Sequence, residues 1–217
     1  VAAVRQKLAA GQDIKIAFVG DSITLGAEAG NWWADLWTER NLGYASRVVT
    51  GLQKLFPKTA ITPVAAFKGA MTTKYGVEMM DKIVLPAKPD LVFISFGGND
   101  AGGAIGKEPR NPPDQFKEDL RIMIRKSKSA GADVILVVTM QQNPWQKNKV
   151  TERWPVYRQA MLDLAVEENV GVADCFTEWE NQASHGIPPF SQLHNCINHP
   201  GKDGHKLFAN VVLRFFE

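Results

Sequence analysis

The chain has 217 residues, 45% of them hydrophobic and 22% charged, with a formal net charge of +2. That length and composition fit one soluble globular domain over residues 1–217, and no Ser-rich, Pro-rich or charge-run linker divides it. The near-balanced charge argues against a nucleic-acid footprint, and no apolar run approaches the roughly 18 residues of a membrane span.

In chain order, the first expected strand is Ile14 to Val19, which runs directly into Gly20-Asp21-Ser22-Ile23-Thr24. A short buried strand ending in Gly-Asp-Ser would project the Ser22 hydroxyl from the carboxyl edge of a sheet, where open α/β folds place their ligands. The same three residues are ordinary turn formers, so the pentapeptide alone does not make a nucleophile. Trp32, Trp33 and Trp37 fall in the long loop that follows.

Tyr44 to Phe56 carries Val48, Val49, Leu52 and Leu55 on one helical stripe, which Pro57 terminates. A second strand, Ile61 to Ala66, leads into Lys68-Gly69-Ala70, and a third, Asp90 to Phe96, into Gly97-Gly98-Asn99-Asp100. Phe116, Leu120, Ile122, Met123 and Ile124 mark a helix that ends near Gly131 after a basic last turn. Asp133 to Thr139 reads as a fourth strand, with Trp145 after it, and Val156 to Glu168 as a helix. The fifth strand, Val170 to Asp174, precedes Cys175 and Trp179, and a last helix spans Pro200 to Phe216. Strands this short and continuously apolar suit a parallel sheet with both faces covered. The strand–helix alternation then implies an α/β fold, a three-layer α/β/α sandwich.

Ser22, Gly69, Asn99 and the block Asn198-His199-Pro200-Gly201 stand in the order and context of the GDSL/SGNH hydrolase superfamily, which the chain resembles over nearly its whole length. The resemblance implies a five-stranded flavodoxin-like sheet of order 2-1-3-4-5 and a serine esterase similar to the carbohydrate acetylesterases. It also implies an oxyanion hole made of the backbone N–H groups of Ser22 and Gly69 and the side-chain amide of Asn99, with no cofactor and no metal.

The chemistry fits those residue types. A serine hydroxyl needs a base to take its proton as it attacks an acyl carbon, and histidine suits that task and the later return of the proton to the leaving alcohol. Of His185, His194, His199 and His205, the resemblance selects His199. His205 is read as structural, and His194 as a candidate for substrate contact. Donors aimed at the developing oxyanion contribute about 3 kcal/mol each. Gly69 would let the backbone approach the substrate closely, and Asn99 supplies N–H without bringing a charge near the base. Asp100 beside it reads as a structural acceptor.

One position departs from the family. Many members carry an aspartate three residues before the histidine, and here that residue is Cys196. Spoiling such an aspartate costs about 10⁴ in rate in serine proteases. Three explanations stand open: a Ser22–His199 dyad in which a backbone carbonyl of this loop, clamped by a Cys175–Cys196 disulfide, accepts the His199 Nδ1 proton, with Asn195 another candidate orienter; a substituted carboxylate, Asp174 or Asp203; or a protein that hydrolyses poorly or only binds ligands. Cys196 as a nucleophile is disfavoured, because it takes the orienter's place. Cys175 and Cys196 are too few for a disulfide framework or a zinc site, and a bond between them stands against two free thiols.

The tryptophans, chiefly Trp32, Trp33 and Trp145, could line an open cleft with flat faces that suit sugar rings. Taken together with the resemblance to carbohydrate acetylesterases, they make an acetylated saccharide or other small ester the expected substrate, with a lipase, lysophospholipase or thioesterase activity as the alternative. The chain begins at Val1 with no signal peptide, and a periplasmic or secreted location is an expectation.

Overall fold

The computed structural model describes residues 1–31, 33–103, 107–143, 145 and 149–217, and for Lys149 only its place at a helix start. Strands β1 (Ile14–Gly20), β2 (Ile61–Phe67), β3 (Leu91–Ser95), β4 (Asp133–Val138) and β5 (Gly171–Asp174) form one parallel sheet of order β2-β1-β3-β4-β5. This is the α/β architecture that the resemblance implied.

The helices are α1 (Ala2–Ala9), α2 (Ser22–Leu25), α3 (Tyr44–Leu55), α4 (Thr73–Met79), α5 (Leu85–Ala87), α6 (Pro113–Ser129), α7 (Lys149–Glu167), α8 (Cys175–Asn181) and α9 (Lys202–Leu213). A π-helical turn, Met80–Val84, joins α4 to α5. Side chains alternate across a strand, so the sheet sorts its apolar residues into two cores. Ile14, Ile16 and Phe18 face one core, with Leu91, Phe93, Ile135 and Val137, under α1, α3, α8 and α9. Ala17, Val19, Val92, Ile94, Leu136 and Val138 face the other, under α4, α6 and α7.

Two expectations need correction. Strand β2 is an edge strand with much of its length half-exposed or exposed, so it is not covered on both faces; Pro63, which cannot donate to a ladder, is tolerated at such an edge. Helix α7 begins before Pro155 instead of after it. Helices α1, α4 and α8 had no strong periodic signal.

The register delivers the site. Gly20 pairs with Phe67 on one side and Ser95 on the other, so the loops that begin after β1, β2 and β3 leave the sheet at one level. A Cβ on Gly20 would lie 2.1 Å from Thr24 Oγ1 and 2.8 Å from the Ser95 carbonyl, so only glycine lets the chain turn here into α2.

Candidate active site

Asp21 caps α2: its Oδ1 accepts the Ile23 N–H at 2.9 Å, which leaves Ser22 as the first helical residue. From there the hydroxyl reaches His199, whose Nε2 lies 2.8 Å from Ser22 Oγ across 177 residues of chain. Gly69 joins them, because a Cβ placed on it would stand 3.9 Å from Ser22 Cβ in otherwise open space. The protein itself would tolerate that Cβ, so no internal packing demands a glycine at 69.

Asn99 lies beside the serine through Asp21. Its amide N–H donates to Asp21 Oδ2 at 3.1 Å, which fixes the side chain and leaves the second amide hydrogen free to aim elsewhere. Asp21 is buried, and that burial pushes its carboxyl up to about 7, with the nearby Asp100 charge adding and the Ile23 and Asn99 bonds opposing.

Asp100 acts as a structural acceptor. Its Oδ1 takes the Thr73 N–H at 2.9 Å, the Thr73 hydroxyl at 2.7 Å and the Asn111 amide at 3.2 Å. Asn111 also reaches Asp119 Oδ2 at 2.9 Å, and all four residues are buried. The Asn99 loop is thus anchored to α4 and α6 by one buried polar network. Desolvation raises the Asp100 carboxyl above its ordinary value, against the bonds from Thr73 and Asn111.

His199 is held differently. It sits in an irregular segment closed by the isolated Leu193–Pro200 bridge, with the His194 N–H donating to the His199 carbonyl at 2.9 Å. Asn143, past the end of β4, grips this segment: its side chain donates to the Cys196 carbonyl and its backbone N–H to the Ile197 carbonyl, both at 2.8 Å. Asn143 was not anticipated; the polar run Gln141-Gln142-Asn143 at a strand's carboxyl end is the signal that pointed to it.

Inside the segment, Asn195 Oδ1 accepts the backbone N–H groups of Ile197, Asn198 and His199 at 3.0, 3.0 and 3.1 Å. The Asn195 Nδ2 lies 2.9 Å from Asn198 Oδ1 and 3.0 Å from His199 Nδ1. Half-burial lowers the imidazole's proton affinity, and the Glu28 charge partly offsets this.

The other candidates separate. Asp174 caps α8 and is paired with Arg158 at 2.5 Å and the Thr177 hydroxyl at 2.7 Å, an arrangement that commits its carboxylate away from His199. Asp203 lies in the first turn of α9, with no hydrogen bond to the imidazole. Cys175 is buried, its thiol directed at the Phe208 carbonyl, whereas Cys196 is exposed, and both thiols are free. The disulfide alternative is therefore corrected: Cys175 opens α8 facing the core, and Cys196 stands on the surface with φ of 58°. His205 is buried, accepts the Tyr44 N–H at Nδ1 and is pushed down to about 3 by desolvation, in keeping with a structural role.

Of the aromatic candidates, Trp33 and Trp145 are 73% and 72% exposed, and Trp145 lies against Phe190 with ring centroids 4.3 Å apart. Trp32 lies outside the described residues. Trp37 packs on Phe18 and Trp179 is buried under α9, so these two belong to the core. His194 is largely exposed, with Nε2 3.5 Å from Glu28. It also borders a cleft of about 800 Å³ shared by Gly30, Gln192, Lys202, Lys206 and Asn210. Among the described residues, no cluster of His, Cys, Asp and Glu is arranged to hold a metal, and no helix is long and apolar enough to cross a membrane.

Comparison with known proteins identifies the family and the fold. The model of the GDSL-like lipase/acylhydrolase family matches residues 18–207. An acetylxylan esterase of Geobacillus stearothermophilus is 24% identical over 208 residues, which cover 94% of each chain. A crystal structure of an acetylxylan esterase from that organism superposes with a TM-score of 0.78 at 23% identity, covering 95% of each chain. An α/β hydrolase from the metagenome of Lake Arreo gives 0.77 at 22% identity, over 93% of this chain and 94% of the other. A two-domain esterase active on acetylated mannans gives 0.73 at 24% identity, this chain spanning 51% of its length.

Proposed function

Since the chain belongs to the GDSL-like lipase/acylhydrolase family, we propose that it is a carboxylic ester hydrolase that removes O-acetyl groups from a carbohydrate through an acyl-enzyme on Ser22. The observation that carries this reading is the 2.8 Å approach of His199 Nε2 to Ser22 Oγ, with Gly69 near Ser22 and Asn99 bonded to the neighbouring Asp21.

Ser22 Oγ attacks the acetyl carbonyl carbon while its proton passes to His199 Nε2. The N–H groups of Ser22, Gly69 and Asn99 receive the carbonyl oxygen as it becomes negative. His199 then returns the proton to the sugar oxygen, which leaves as an alcohol. A water that gives its proton to His199 releases acetate and restores Ser22.

A saccharide is supported by the exposed faces of Trp33 and Trp145, and by the hydrogen-bonding groups of Gln192, Lys202, Lys206 and Asn210 among the apolar residues of the cleft that His194 borders, a cleft whose lining does not include Ser22 or His199. The similarity to esterases of acetylated xylan and mannan points the same way, and such polymers imply a periplasmic or secreted location. Hydrolysis of p-nitrophenyl acetate should fall steeply with the butyrate and octanoate esters, and Ser22→Ala should abolish it. Rates that hold or rise with chain length would replace this reading with the lysophospholipase or thioesterase alternative.

A carbohydrate-binding protein with feeble hydrolysis is the second reading. It is favoured by one observation: the group nearest His199 Nδ1 is the Asn195 amide nitrogen, where a base needs an acceptor. Equal, slow acetate release by wild type and Ser22→Ala, with glycan binding intact in both, would establish it.

A further inference from the structure

We propose that Asn195 is a positioning residue that locks His199 in the tautomer with its proton on Nε2, and so throttles the esterase. The kinetic part rests on the acyl-enzyme reading above; the tautomer itself does not.

The amide orientation is over-determined. Three backbone N–H groups converge on Asn195 Oδ1. If oxygen and nitrogen were exchanged, an NH2 group would face three donors and all three bonds would be lost. The oxygen is thereby fixed, and Nδ2 donates its two hydrogens to Asn198 Oδ1 and His199 Nδ1. A nitrogen that accepts a hydrogen bond carries no proton, so the neutral ring bears its proton on Nε2, which then donates to Ser22 Oγ.

That is the reverse of what attack requires. A base must present a lone pair at Nε2 and hold its proton at Nδ1, and the imidazolium formed afterwards carries protons at both. Either state sets the Nδ1–H against the Asn195 N–H at 3.0 Å, donor facing donor. Asn195 therefore disfavours the reactive tautomer and the charged intermediate alike. In serine proteases an asparagine in the orienter's place leaves the geometry intact and lowers kcat about 10⁴-fold through the wrong tautomer.

The lock also shows how to release it. An aspartate at 195 has the shape of the asparagine, keeps an oxygen on the three backbone N–H groups, and places its second oxygen where Nδ2 now faces Nδ1, with the Asn198 amide turned so that its NH2 replaces the oxygen that now accepts from Nδ2. The serine, histidine and carboxylate would then form a triad with the orienter one residue earlier than the family pattern puts it.

Two measurements test this. In ¹⁵N-histidine spectra of the wild type at pH 7.5, with His199 identified by loss of its signals in His199→Gln, the Nδ1 shift should be that of an unprotonated nitrogen and the Nε2 shift that of a protonated one. The reverse pattern overturns the lock. Asn195→Asp should raise kcat for p-nitrophenyl acetate at least about 100-fold with KM little changed, and should move the acid limb of the pH profile upward, since a carboxylate favours the imidazolium. An unchanged or lower kcat in a variant that unfolds at the wild-type temperature overturns the throttling. If the variant does not fold, the wild-type spectrum still decides the lock. If the spectrum shows the lock but neither protein has Ser22-dependent turnover, it is the acyl-enzyme reading that has failed.

Discussion

The two ends of the site are built by different means. The proposed oxyanion end is held by bonds between separate segments: Asn99 to Asp21 in a partly buried contact, and buried Asp100 to Thr73 and Asn111, which tie the β3 exit to the segments that open α2, α4 and α6. The base end is a half-exposed loop whose conformation comes from bonds within itself, Asn195 to three following N–H groups, plus the grip of Asn143. The contrast teaches that preorganisation for the developing charge and control of the base are separable. One end is tied into the core, and the other is set by two amides, those of Asn195 and Asn143.

If the ends are separable, damage to each should show different signatures. The largest effect on rate belongs to the oxyanion end: Asn99→Ala should lower kcat about 10²–10³-fold with KM little changed, and should cost about 1 kcal/mol of stability because buried Asp21 loses the donor to its Oδ2. Equal loss in KM and kcat would mean that Asn99 binds the ground state instead. Asn111→Ala should act through the fold, because it strips partners from buried Asp100 and Asp119 and costs about 2–3 kcal/mol, read as a lowered denaturation midpoint. At the base end, Asn143→Ala should cost about 1 kcal/mol of stability or less, yet lower kcat by loosening the His199 loop. If Asn143→Ala destabilised the protein as much as Asn111→Ala, the two ends would not differ as described.

The pH dependence sharpens the comparison further. Only unprotonated His199 can take the Ser22 proton, so activity falls as pH drops through its folded pKa. Desolvation lowers that pKa in the free protein, so the acid limb of kcat/KM should be centred below the ordinary imidazole value of about 6.5. A limb centred above it would require a carboxylate partner that the loop does not place at Nδ1.

How far these features were legible follows from their range along the chain. Gly-Asp-Ser after an apolar run is local, so β1 and the turn at Ser22 could be read directly, and the family resemblance of four separated blocks then singled out Ser22, Gly69, Asn99 and His199 as candidates. Helix α1 escaped because little beyond Val4 and Leu8 marks its buried face, and α8 because it follows β5 with no intervening loop. The Thr73–Asp100–Asn111–Asp119 network could not be read, since it joins residues up to 46 apart in sequence. Asn195 was visible as a residue near the base. Its effect was not, because whether an asparagine accepts or donates at an imidazole depends on which way three backbone N–H groups turn it.

The central claim, an acyl-enzyme on Ser22 assisted by His199, is tested most directly by acid-quenching the protein during turnover of p-nitrophenyl acetate and mapping the acetyl group by peptide mass spectrometry. The account predicts acetate esterified to Ser22, absent from Ser22→Ala and unaffected by Cys196→Ser. Acetyl carried by Cys196, or turnover with no Ser22 adduct under conditions where acylation outpaces deacylation, would contradict it.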